Sequence, residues 1–174
     1  MVSHFPGEVA AHLESLRRYA RALTRDHAAA DDLVQEALLR AIERAGTYRS
    51  GGSLRAWLAG ILHNCFISGR RRQAAEARRD ETFAGLHETA GQEGDQEHAA
   101  QLALVADRFY GLPEPQRSVI HLVAVEGLSY QEAASALGVP IGTVMSRLSR
   151  ARAALRAPAG AIPRLRMVRS ERDD

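Results

Sequence analysis

The sequence predicts an all-α protein made of two small helical domains joined by a flexible linker, the second a four-helix domain with a helix-turn-helix. Three observations predict it. Apolar residues recur at steps of three and four along successive segments, which is the period of an amphipathic helix. Alanine and leucine fill those segments, β-branched clusters are few, and aromatic residues make up 5% of the 174 residues, so small helix formers supply the core. The two periodic regions are separated by a stretch rich in Glu, Gly, Gln and Ala that carries no sustained stripe.

The first domain is expected over residues 1–73. Val9, Leu13, Leu16, Tyr19, Ala20 and Leu23 lie at helical spacing and define an opening helix, which breaks at residues 25–28. The segment DDLVQEALLRAIERAG then sets Leu33, Val34, Ala37, Leu38, Ala41 and Ile42 on one stripe, with Asp32, Gln35, Glu36, Arg40 and Glu43 outside it, and Gly46 ends the helix. Residues 47–52 form a polar loop. Ser53 caps a third helix whose stripe is Leu54, Trp57, Leu58, Ile61, Leu62 and Cys65, which makes Trp57 a core residue; Arg55, His63, Asn64 and Ser68 fall elsewhere. Arg70, Arg71 and Arg72 close that helix, where cations suit the helix dipole. Three such stripes can bury one another as a small bundle.

Residues 74–98 are read as the linker, spanning roughly 85 Å when fully extended. The second domain, residues 99–157, opens with a helix carrying Leu102, Val105, Ala106 and Phe109 that stops at Gly111. Leu112-Pro113-Glu114 starts the next, with proline in a first turn where its missing donor costs nothing. Val119, Ile120, Leu122, Val123 and Val125 pack that helix before Gly127.

The stretch SYQEAASALGVPIGTVMSRLSRAR completes the domain. Ser129 and Glu132 have the spacing of a capping box, Ala133, Ala134 and Leu137 give a compact inner face, and Gly138 with Pro140 beyond it ends the helix after about two turns. Ile141, Val144, Leu148, Ala151 and Leu155 line one face of a second helix, with Thr143, Ser146, Arg147 and Arg150 pointing away. Helix, glycine-containing turn and basic outer helix is the pattern whose second helix enters the DNA major groove, where arginine forks suit guanine edges and phosphates. An ordinary helical hairpin with solvated arginines fits the same stretch.

Charge follows this division. All 23 basic residues are arginine, and the net charge is +2. Residues 138–172 hold eight arginines against Glu171 alone, whereas residues 73–97 hold seven acids against Arg78 and Arg79. This asymmetry predicts a nucleic-acid-facing end and a separate acidic connector. The basic tail, residues 158–174, is read as a disordered terminus. An arginine-only set also fits a G+C-rich genome, and composition does not separate the two causes.

Cys65 is the single cysteine, which leaves no internal disulfide and no cysteine-based zinc site, and the seven histidines lack the paired spacing of metal ligands. No cofactor and no metal are expected. With no 18-residue apolar run and no charged-then-apolar leader, membrane insertion and secretion are not expected either, and the cytoplasm is the default. No glycine-rich phosphate loop or nucleophile-and-base motif is recognisable, so an enzyme is not expected.

Taken together, the segments DDLVQEALLRAIERAGTYR, SLRAWLAGILHNCFISGRRR and LPEPQRSVIHLVAVEGLSYQEAASALGVPIGTVMSRLSRARAAL resemble the second and fourth conserved regions of bacterial sigma factors of the extracytoplasmic-function class. The resemblance covers about 130 residues, omitting linker and tail. It implies a factor that binds core RNA polymerase through its β′ and β subunits, directs it to promoter DNA, and is held in check by an anti-sigma factor. It places Asp31, Asp32, Gln35, Glu36 and Arg40 on the helix that docks on the β′ coiled coil. It places Asn64 where a flipped base of the −10 element is captured, with Tyr48, Arg49 and His63 nearby and Arg70 and Arg71 towards duplex phosphates. It sets Thr143, Met145, Ser146, Arg147, Ser149, Arg150 and Arg152 against the −35 element. Met145 departs from the Arg or Lys of some relatives, which weakens any transfer of their base preference; Arg147 is assigned to the backbone. Two other readings stay open: a sigma-like decoy that sequesters an anti-sigma factor without binding DNA, and a one-component repressor, which leaves the first domain unexplained.

Overall fold

The computed structural model describes residues 5–49, 51–78 and 96–156. Among these residues there is no strand. The elements run α1 (Phe5–Ala10), α2 (Leu13–Thr24), α3 (His27–Glu43), a 3-10 turn (Ala45–Thr47), α4 (Leu54–Ala77), α5 (Gln96–Gly111), α6 (Glu114–Ile120), a π turn (His121–Val125), α7 (Tyr130–Leu137) and α8 (Ile141–Arg156). The all-α class and the helix-turn-helix are as expected, and the boundaries differ in three places. The opening helix is divided by a turn at residues 11–12. Helix α3 begins earlier than its stripe, because Asp26 accepts a hydrogen bond from the Ala29 N–H at 2.7 Å and caps it. Helix α4 passes Arg72 and continues to Ala77, and α5 is already formed at Gln96, so both ends of the expected linker are helical. The rest of that linker, residues 79–95, and the tail at 158–174 lie outside the described residues.

In the first half α2, α3 and α4 pack on one another around Leu16, Tyr19, Leu23, Val34, Leu58 and Leu62, all buried. In the second half the capping box is complete: the Glu132 N–H donates to Ser129 Oγ at 3.2 Å, and the Ser129 N–H donates to Glu132 Oε2 at 2.8 Å. Gly138 ends α7 at φ +63°, a left-handed conformation that a Cβ disfavours. Val144, Leu148 and Ala151 turn α8 inward against α6 and α7.

The sequence predicts two domains on a tether; the structure packs them together. Helix α4 is buried all the way round from Leu58 to His63, since α7 covers the side that α2 and α3 leave open. The crossing is close: a Cβ on Gly60 would stand 3.2 Å from the carbonyl oxygen and 3.3 Å from the Cα of Ala136. Polar groups complete the seam. The buried Glu126 carboxylate accepts from Ser15 Oγ and from Arg18 Nε and Nη2, both at 3.2 Å, while Arg55 donates to its backbone carbonyl. In the opposite sense, buried Arg117 of α6 donates to the Ala22 carbonyl in the last turn of α2 at 2.6 Å and to the Leu112 carbonyl at 2.8 Å. Helix-end carbonyls have no partner within their own helix, and a buried one left bare costs about 1–3 kcal/mol, which is why an arginine is tolerated here.

The π turn positions Glu126. Its N–H bonds to the His121 carbonyl five residues back at 3.0 Å. Side chains five apart on an α-helix diverge by about 140°. The wider turn brings His121 and Glu126 to one side instead, with Nε2 and Oε1 3.3 Å apart and no better-aligned partner for Nε2 among the described residues. The Tyr19 ring lies between two histidines, stacked on His121 at 5.2 Å and on His63 at 6.4 Å, and its hydroxyl shares a 3.1 Å hydrogen bond with His63 Nδ1.

Both histidines are held neutral. Burial pushes His63 and His121 below the ordinary histidine value; Arg147 and Arg18 reinforce this respectively, against the opposing charges of Glu114 and Glu126. Burial alone would raise Glu126, but the hydrogen bonds from Ser15 and Arg18 and the neighbouring charges hold it below the ordinary carboxylate range. A histidine whose value is depressed by folding stabilises the fold above its unfolded value of about 6.5, and that contribution is lost as pH falls below it. Glu126 acts in the same sense at lower pH. Thermal unfolding followed by Trp57 fluorescence should therefore give a melting temperature that is level above about pH 6.5 and falls towards pH 5. A level profile down to pH 5 would show that neither histidine titrates against the fold.

No helix among the described residues is long and apolar enough to cross a membrane.

Candidate nucleic-acid and protein interfaces

Helix α8 presents its polar side outward. Met145, Ser146, Ser149, Arg150 and Arg152 are exposed, while Thr143 and Arg147 are half-buried. These residues lie on one continuous surface because their inward neighbours Val144, Leu148 and Ala151 are fixed in the core at every turn. The Ser146 hydroxyl donates to the Thr143 carbonyl at 3.1 Å, so it is held by its own helix and its lone pairs face out. Met145, Ser149, Arg152 and Arg156 also line a groove of about 480 Å³ beside Tyr130 at the start of α7. The Arg147 charge adds to the burial that holds His63 below the ordinary histidine value.

The residues expected around the −10 element are not all brought together. Asn64 is exposed and lines a cleft of about 420 Å³ with Trp57, Gly60 and Ile61 on one wall and Gln131, Glu132 and Ser135 of α7 on the other. Trp57 is half-buried: it packs against the core as its stripe predicts and also lines the cleft wall. It stands 5.6 Å from Tyr48, whose hydroxyl donates to the Gly52 carbonyl at 2.7 Å. Arg49 is exposed nearby. His63 differs from expectation: it points inward, 9% exposed, and is engaged with Tyr19, since the residue preceding Asn64 turns about 100° round the helix onto the buried side. Arg70 and Arg71 are exposed farther along α4, the Arg70 guanidinium 5.8 Å over the Phe66 ring.

On α3, Asp31, Asp32 and Gln35 are exposed. Glu36 and Arg40 pair at 3.0 Å, and Arg72 of α4 reaches Glu36 at 3.6 Å, so these two are tied into a local network. The sequence reading assigns Ile42 to the buried stripe and leaves Leu39 unplaced, yet they are 66% and 63% exposed. Asp32, Gln35, Leu39 and Ile42 follow steps of three, four and three, so they share one open face. That spacing is the signal in the sequence that marks a second, outward apolar patch.

Two family models match this chain: the sigma2 domain of PhyR over residues 9–63 and region 4 of sigma-70 over residues 108–155. Among known proteins, the chain is 38% identical over 154 residues to the ECF RNA polymerase sigma factor EcfG of Rhodopseudomonas palustris strain TIE-1, covering 86% of this chain and 82% of that protein. It is 33% identical over 134 residues to the ECF RNA polymerase sigma-E factor of Escherichia coli K12, covering 71% and 70%. Among solved structures, the sigma factor RpoE in complex with the anti-sigma factor NepR from Bartonella quintana matches with a TM-score of 0.73 and 35% identity over 87% of this chain and 93% of that one. CnrH in complex with the cytosolic domain of CnrY matches with a TM-score of 0.61 and 30% identity, over 87% and 84%.

Proposed function

Because the chain belongs to the extracytoplasmic-function RNA polymerase sigma factors, we propose that it docks on core RNA polymerase through the outer face of α3, captures a −10 base in the α4 cleft at Asn64, and reads the −35 element with α8. The observation that carries this is the outward surface of α8, where Ser146, Ser149, Arg150 and Arg152 stand exposed on a helix whose inner stripe is locked in a capped helix-turn-helix. Residues 1–73 and 99–157 are its two working units, and catalysis belongs to the polymerase, in the cytoplasm. An anti-sigma protein is the matching regulator, as RpoE of Bartonella quintana is crystallised with NepR.

One observation favours the decoy reading: the model matching the first half is that of the sigma2 domain of PhyR. Against it stand the match to a sigma factor over 154 residues and the exposed polar side chains of α8, which a decoy does not need. Transcription by core polymerase across a promoter library, together with mapping of transcript starts after overproduction, separates the two. A folded chain that starts no transcript and binds no promoter would leave only the decoy.

Arg150 gives the sharper residue test. Arg150→Ala should weaken −35 binding by about 1–3 kcal/mol and relax preference at one base pair, if its guanidinium forks onto a guanine. An equal loss on every sequence would reassign it to phosphate.

A further inference from the structure

The outward side of α8 carries two lines of residues that differ in chemistry. Ser146 and Arg150 stand four apart on the first, which is polar. Met145, Ser149, Arg152 and Arg156 follow steps of four, three and four on the second, along the flank that faces the start of α7. Met145 and Arg150, five residues apart, diverge by about 140° round the helix, so the two lines address different places on a duplex.

The second line borders the groove of about 480 Å³ beside Tyr130, and the lining changes character along the helix. Near the start of α8, Met145 is 51% exposed, and the buried Leu148 lines the same hollow. Two and three turns farther on, Arg152 and Arg156 stand exposed, and neither pairs with a carboxylate among the described residues. An apolar side chain with two such cations behind it has the form of a base contact backed by phosphate contacts. Methionine narrows what that base contact can be. A thioether donates no hydrogen bond, so Met145 cannot fork onto guanine as an arginine would. On the major-groove side the base pairs offer one apolar group, the 5-methyl of thymine, and methylated cytosine presents the same group at the same carbon. The unbranched, polarisable side chain of methionine packs readily on such a methyl.

Resting on the sigma-factor reading above, we propose that the groove at Met145 is a methyl-reading site within the −35 contact: it takes a pyrimidine methylated at carbon 5, while Arg152 and Arg156 hold neighbouring phosphates. The −35 preference of this chain then has a determinant separate from Arg150, and it rests on shape and apolar contact instead of a directed hydrogen bond. Thymine and 5-methylcytosine are the two bases that bear the group.

The experiment uses holoenzyme assembled from the full chain and core polymerase, on a promoter duplex identified by mapping transcript starts. Each thymine of the −35 element is replaced in turn by uracil, which removes the methyl group and nothing else. At one position binding should weaken by about four-fold, the factor that burying one methyl group carries. At that position 5-methylcytosine should bind more tightly than cytosine by about the same factor. That gain assigns the contact to the methyl whichever base bears it, and a gain confined to thymine over uracil narrows the ligand to thymine. Met145→Ala should abolish the difference between thymine and uracil, Met145→Leu should keep most of it, and Arg150→Ala should weaken both duplexes while leaving it intact. Met145 is exposed, so its variants keep their fold. Arg156→Ala should weaken thymine and uracil duplexes alike, as loss of a phosphate contact does. Uracil tolerated at every −35 position overturns the proposal, and so does a thymine preference that survives in Met145→Ala. A chain that starts no transcript with core polymerase fails the sigma-factor reading itself, a result distinct from an active promoter that is indifferent to uracil.

Discussion

Leu148→Ala should lower the stability of the chain by about 3–5 kcal/mol. Leu148 is 2% exposed at the centre of α8, packed against the helices that carry the rest of the helix-turn-helix. Alanine removes the transfer free energy of three carbons and leaves a void that α6 and α7 cannot close without surrendering the capping box at Ser129 and the left-handed turn at Gly138. Urea unfolding should show a lower midpoint with an unchanged slope, and the melting temperature should drop by roughly 10 °C for a chain of this size. Leu155→Ala, half-buried at the end of the same helix, is the internal control and should cost well under half as much. Equal losses at the two positions would mean that α8 is not anchored through its middle.

The second large effect is on association. Leu39→Glu with Ile42→Glu should reduce binding to core polymerase by about 100-fold while leaving the melting temperature unchanged or slightly higher. Each side chain is about two-thirds exposed in the free chain, so neither contributes much to folding. Covering one of them on docking is worth about 1.5–3 kcal/mol, and a carboxylate in its place adds a desolvation cost. Apolar residues flanked by Asp32 and Gln35 have the form of an interface centre with a polar rim. Competition of the double variant with the parent chain for core polymerase reads the loss directly. Retained affinity would move the docking surface off this face of α3.

What the sequence made legible was local. The Ser129 and Glu132 cap, the stop at Gly138, the Ser53 cap and the inward stripe of α8 are decided by near neighbours, so reading them needs no knowledge of the rest of the chain. The exposure of Asn64 and of the outer side of α8 followed from the same spacing. The failures came where distant segments meet. His63 is buried and Trp57 lines a cleft as well as the core because one face of α4 is closed by α7, over seventy residues away, and a stripe says that a face is apolar without saying what will cover it. One clue was present: the run LAGIL at residues 58–62 is apolar on every side of the helix, which marks a helix buried on both flanks. Arg18, Arg55 and Arg117 carried no such clue, since a surface arginine and one spent on a distant carboxylate or carbonyl look alike in sequence.

The wide turn at His121–Val125 makes the posture of the second half depend on chain length by a single residue. Adding one further residue there carries the glutamate about 100° farther round the helix, so the carboxylate would miss its arginine with every side chain still present. Evolution thus has a one-codon dial that alters how firmly the molecule folds upon itself without touching a base-reading residue.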